Sequence, residues 1–137
     1  MLHVPSLPLA SLLALLVVAI LFAVGVYAQP PGFKATPLLQ STFGDDASKD
    51  AVVLSVELAL ASSTGRHTHP GDCYGTVVEG VVELHVDGRE PRWLPAGQAY
   101  HNPRGTIHEF RNVGEKPARL VNTMVVDKGK PRMQPVP

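Results

Sequence analysis

From Ala51 onward the chain alternates apolar and polar positions with a period of two. Val52, Leu54, Val56, Leu58 and Leu60 fall on alternate residues, separated by smaller or polar ones. Successive side chains of a strand point to opposite faces, so this pattern predicts a half-buried β-strand. Similar short runs cover Thr76–Val86, Pro91–Leu94, Ala99–Asn102, Thr106–Asn112 and Arg119–Val126. The first of these ends at Asp87-Gly88, a pair suited to a hairpin turn. Gly or Pro punctuates each junction, and no stretch after residue 30 carries a helical period. Many short strands at regular spacing predict an all-β fold, an antiparallel sandwich or barrel. Residues 50–128 are expected to form that domain. Residues 29–49, rich in Pro, Gly, Ser and Asp, read as a linker with one edge strand around Lys34–Gln40. Residues 129–137, with three prolines, are expected to be a flexible tail.

The start of the chain has a different texture. Leu7 to Val26 is nearly continuous Leu, Ala, Val and Ile, and residues 1–33 contain no Lys, Arg, Asp or Glu. An apolar run of about 20 residues reads as an N-terminal apolar helix, either the core of a secretory signal or a membrane anchor. Val26-Tyr27-Ala28 offers a small residue for cleavage, but no Lys or Arg precedes the run. Residues 1–28 are therefore expected to be a signal peptide or anchor. Either one places the domain outside the cytoplasm, periplasmic or secreted, or held at the membrane by residues 7–26.

Composition adds exclusions. Among 137 residues, 12 Lys and Arg balance 12 Asp and Glu, which gives no reason to expect a nucleic-acid partner. The single cysteine, Cys73, rules out an internal disulfide. A small all-β chain leaves sheet edges, so closure into a barrel or pairing into a homodimer is expected. There is no Ser/His/Asp arrangement placed for nucleophilic catalysis. Gly65 precedes a strand rather than a helix, so it does not open a phosphate loop.

The chemistry-bearing residues are histidines. His67 and His69 stand in Arg66-His67-Thr68-His69-Pro70-Gly71, and His108 follows the turn signals Pro95-Ala96-Gly97 and Pro103-Arg104-Gly105. His-x-His on a strand puts both imidazoles on one face. A third imidazole from a nearby strand would complete three ligands around a metal with positions left open.

These residues carry a family resemblance. His67-Thr68-His69-Pro70-Gly71-Asp72-Cys73 followed by Gly80 resembles the first motif of the cupins. Gly97, Pro103-Arg104-Gly105, His108 and Asn112 resemble the second. The resemblance implies a small double-stranded β-helix, or jelly-roll barrel. It also implies a divalent metal (Fe, Zn, Mn, Ni or Cu) held by His67, His69 and His108, and a small-molecule ligand or substrate. In the full pattern a Glu completes the set, and that place falls on Cys73. Three arrangements follow: a three-His site with open positions, a site completed by Cys73 or Asp72, or a pocket that works without metal. Cysteine dioxygenases are similar in using three His with a Cys at this place, joined there to a Tyr; Tyr74 and Tyr100 are the tyrosines nearby in this sequence. The bland alternative for Cys73 is a small thiol filling the barrel wall. Tyr100 and His101 are candidates to assist the site from beside the ligands, His101 otherwise being a surface histidine. His85, next to Glu83, reads as solvent-facing. Functionally the resemblance implies a dioxygenase-type oxidoreductase, or a non-catalytic cupin that senses or scavenges a metal or small ligand.

Overall fold

The computed structural model describes residues 28–137. The apolar helix and the export or anchor segment expected over residues 7–26 lie outside them. Ten strands follow in chain order: β1 Phe33–Phe43, β2 Asp46–Leu58, β3 His67–Thr68, β4 Gly71–Glu79, β5 Val81–Val86, β6 Arg92–Pro95, β7 Ala99–Asn102, β8 His108–Asn112, β9 Ala118–Asp127 and β10 Gln134–Pro135. They form two five-stranded antiparallel sheets, ordered β1-β2-β9-β4-β7 and β10-β3-β8-β5-β6. This is the all-β architecture expected from the alternation, in the double-stranded β-helix arrangement that the family resemblance implies.

The alternation sets which side chains meet between the sheets. On β2, Val52, Leu54, Val56 and Leu58 are buried, and on β9, Ala118, Leu120, Asn122, Met124 and Val126 are buried, while their strand neighbours lean outward. β2 and β9 pair with Val56 opposite Leu120 and Val52 opposite Met124, so both apolar sets line the same face. Val82, Leu84, Leu94 and Phe110 close the core from the second sheet. Leu60 falls just beyond β2 and is exposed.

Three segments differ from the sequence expectation. The run Thr76–Val86 is two strands, β4 and β5, separated at Gly80, whose φ of +77° is a left-handed conformation that favours glycine. A Cβ there would also lie 2.9 Å from the Ala118 Cα. Residues 33–43 are a full edge strand rather than a short one in a linker, and β2 begins at Asp46, ahead of Ala51. Pro37 is tolerated at the edge, where a missing N–H costs little, and a register shift follows it. The end of the chain is tied down: Gln134 pairs with Thr68 and Pro135 with His67. Val136 N–H donates to the Arg66 carbonyl at 3.0 Å, and the Arg66 guanidinium bonds the Pro137 carbonyl oxygen.

Candidate metal centre

His67 and His108 are directly opposed residues on β3 and β8, and His69 lies two residues beyond His67 on the same face. Their ring centroids are 4.3 Å apart for His67–His108, 4.8 Å for His67–His69 and 5.0 Å for His69–His108. One ligand nitrogen from each lies within 4.8 Å of the others. All three are buried, with 4%, 8% and 2% of their surface exposed for His67, His69 and His108.

The second nitrogen of each ring is already committed. Nδ1 of His67 lies 2.8 Å from the Gly65 carbonyl, Nδ1 of His69 2.6 Å from the Arg132 carbonyl, and Nδ1 of His108 2.9 Å from the Thr106 carbonyl. A carbonyl only accepts, so each Nδ1 carries the proton and each Nε2 presents a lone pair. Burial holds the rings neutral: it drives His67 down to about 3 and His69 down to about 4, and it lowers His108 as well. Nε2 of His108 is buried with no hydrogen-bond partner among the described residues. An orphaned acceptor of this kind costs on the order of 1–3 kcal/mol. Three neutral imidazoles, oriented from behind by carbonyls and converging through free lone pairs, fit a divalent metal.

Cys73 stands outside this group. It is opposite Asn102 and Met124 in the first sheet and is fully buried, 0% exposed. Burial pushes its thiol up to about 12, so without a metal it stays protonated near neutral pH. The wall-filling reading of this residue is the one the surroundings match. Asp72 is also used elsewhere, accepting the Arg104 backbone N–H at 2.8 Å. The set is therefore three His without an acidic fourth member among the described residues.

The two residues expected to assist the site separate by strand parity. Tyr100 and Asn102 point inward from β7, and His101 points outward. His101 stacks on Tyr74 with ring centroids 4.4 Å apart, and its Nε2 is 3.7 Å from Asp72 Oδ1; it is a surface residue and does not reach the cluster. His85 likewise faces Glu83, at 2.9 Å, away from the cluster. Tyr100 is buried, packs on Phe110 at 4.7 Å and donates its hydroxyl proton to Asn122 Oδ1. Burial raises its phenol well above the ordinary range, so it stays a donor. With Oδ1 engaged, the Asn122 amide N–H groups are the donors left to the interior. Gly75 makes this pair possible, because a Cβ there would lie 2.4 Å from both the Asn122 Oδ1 and the Tyr100 hydroxyl.

The cluster forms one wall of a cavity of about 240 Å³. Phe33, Leu54, Val56, Phe110, Met124 and Met133 give it apolar sides, while Thr64, Asn122 and Arg132 add polar groups. Among the described residues, no Asp or Glu lines it. Sequence reasoning missed Asn122, Arg132 and Met133. Asn122 had a signal, being a polar residue at an inward position between Leu120 and Met124. Arg132 and Met133 had none, since they lie beyond the last periodic strand.

Asn112, of the second cupin-like motif, serves the frame. Its amide donates to the carbonyls of Leu58, Ala59 and Lys116 at 3.1, 3.0 and 2.9 Å, and its Oδ1 accepts the Gly114 N–H at 3.0 Å.

Comparison with known proteins agrees with this architecture. A cupin-domain-containing oxidoreductase of Neurospora crassa, srdB, is 46% identical over 52 residues, covering 37% of this chain and 26% of that protein. The chain thus spans about a quarter of that relative's length. A conserved protein with a double-stranded β-helix domain from Klebsiella pneumoniae superposes with a TM-score of 0.63 at 20% identity, covering 80% of this chain and 88% of its own. A recombinant oxalate oxidase in complex with glycolate superposes with a TM-score of 0.61 at 21% identity, covering 80% and 63%. The cupin domain family matches residues 54–126, just over half of the sequence and the stretch that holds all three histidines. This chain belongs to the cupin family.

Proposed function

We propose that the chain holds a divalent metal through Nε2 of His67, His69 and His108 and acts as a dioxygenase-type oxidoreductase on a small molecule. One observation carries the metal reading: three buried, neutral imidazoles converge on one point with every Nδ1 already satisfied by a carbonyl. The oxidoreductase part rests on the names of similar cupins, srdB and the oxalate oxidase. When bound, the metal would supply an electrophilic centre with open positions, its charge undiminished by the three neutral ligands.

The chain's own residues set the conditions around that centre. The Gly65, Arg132 and Thr106 carbonyls fix each ring and its tautomer. The apolar sides from β1, β2 and β9 exclude water and strengthen polar contacts inside. Tyr100 fixes the Asn122 amide, which is placed to orient a polar group of the substrate. Export of this domain by the apolar segment at residues 7–26 is part of the proposal, and the mass of the protein's N-terminus outside the cytoplasm tests it.

The central test is His69→Ala with elemental analysis of the purified protein. Metal is expected at one equivalent in the wild type and to fall well below it in the variant; unchanged stoichiometry would sink the ligand assignment. Oxygen uptake by the iron-loaded wild type against diketones, phenols, flavonols and thiols tests turnover. Bound zinc without any uptake would favour a non-catalytic binding role.

A further inference from the structure

Among the described residues, three buried side-chain polar atoms have no hydrogen-bond partner: Asn102 Nδ2, His108 Nε2 and Arg132 Nη1. His108 and Arg132 both line the cavity. The arginines elsewhere have evident solutions. Arg66 meets Asp87 at 2.7 Å, Arg104 meets Asp127 at 2.8 Å, Arg111 meets Glu109 at 2.8 Å and Arg119 meets Glu79 at 3.2 Å. Arg89 and Arg92 are exposed to water. Arg132 is only partly solved: it is half-buried, no carboxylate lies within ion-pairing distance among the described residues, and one guanidinium nitrogen is shut off from solvent without a partner. A permanently charged group in this position is costly unless something satisfies it.

Its placement is set by the backbone. The carbonyl of Arg132 accepts from His69 Nδ1 at 2.6 Å, and β10, beginning two residues later, pairs with β3. The residue is thereby held against the histidine wall. Among the described residues the cavity has no acidic lining, so a metal there would add charge of the same sign as Arg132. The apolar sides of the cavity suit a carbon skeleton better than an inorganic ion.

We infer that Arg132 is a substrate-binding residue and that the site takes a small organic acid, whose carboxylate pairs with the Arg132 guanidinium. A planar guanidinium matches a carboxylate through charge-assisted, often bidentate, hydrogen bonds. The inference rests on the proposed metal site for its setting, but the anion contact itself needs only Arg132.

The test titrates butyrate and butyramide into metal-free and zinc-supplemented protein near neutral pH, following backbone amide shifts by NMR. Wild type, Arg132→Gln and Arg132→Lys are compared, and metal content is measured on the same samples. The metal-free arm isolates the arginine, since the three imidazoles are neutral there. In that arm the wild type is expected to bind butyrate about tenfold more tightly than butyramide. Arg132→Gln is expected to erase the preference and Arg132→Lys to keep part of it. Equal affinity for the acid and the amide in metal-free wild type would overturn the inference, as would unchanged butyrate affinity in Arg132→Gln. Should the Gln variant not fold, the wild-type comparison decides alone. An Arg132-dependent preference in protein that takes up no zinc would support the inference while defeating the metal reading.

Discussion

Asp127 and the three-histidine cluster are joined through one short path, the Asp127 N–H donating to the Pro70 carbonyl at 3.0 Å, yet their surroundings are opposite. The Asp127 carboxylate is surrounded by cations. Arg104 bonds it through two nitrogens at 2.8 and 2.9 Å, Lys130 lies at 3.2 Å, and Lys49 approaches from the facing strand. Those hydrogen bonds hold its carboxyl far below the usual carboxylate range. The carboxylate there is answered several times over within the chain, and the cluster joins the ends of β2, β7 and β9. The imidazoles are the reverse. They are neutral, buried and satisfied only from behind, with their free lone pairs facing one another. The lesson is that local completeness marks a structural cluster, and incompleteness held rigidly in place marks a site awaiting a ligand.

Acid should separate the two most strongly. Unfolded imidazoles take up protons near pH 6.5, whereas folded His67 and His69 resist until about 3 and about 4. Between those limits the unfolded state binds more protons, so stability is full above 6.5 and declines as pH falls. At roughly 1.4 kcal/mol per tenfold difference in proton affinity, urea denaturation of the metal-free protein should show a loss on the order of a few kcal/mol between pH 7 and 5. Carboxylates such as Asp127 remain ionised over that window and should contribute nothing. A flat profile would break the contrast. Next in size is the response to metal. Zinc at a hundredfold above its dissociation constant should stabilise the wild type by about 2.7 kcal/mol. It should act equally on Asp127→Asn and not at all on His108→Leu in thermal melts; a shift in His108→Leu would remove that residue from the ligand set. The smallest effect is expected from Asp127→Asn itself. It should lower the melting temperature slightly, by less in concentrated salt than in dilute buffer, because exposed ion pairs are screened. A large, salt-independent loss would show that this cluster is less superficial than its surroundings imply.

The strands legible in the sequence were those with one face in the core. Val52 to Leu58 and Leu120 to Val126 show period two because every second residue is buried. β1 was legible only as an edge strand around Lys34–Gln40 and not to its full length, because its outer half buries almost nothing: Leu38 and Leu39 are each 60% exposed, and Pro37 interrupts the pairing. A stretch of strand with no buried face leaves no period to read. β10 hid for a related reason, its two residues being held by backbone pairing to β3. At the site, His67, His69 and His108 were legible from spacing, since strand parity converts spacing into direction. Parity also separates Tyr100 from His101, but only once the register of β7 is known. Arg132 was not legible, because its position depends on where the chain returns after β9.

The ring of His69 is oriented by the main chain of residue 132, whereas the ligand contact inferred there belongs to its side chain. The same division holds at His67 and His108, whose acceptors are the carbonyls of Gly65 and Thr106. A carbonyl is common to all residue types, so the orientation of the rings does not depend on which side chain stands at 132. Replacing the guanidinium should therefore change the inferred anion preference while the three imidazoles keep their aim. Ring orientation and the inferred ligand contact thus meet at one residue but depend on different atoms.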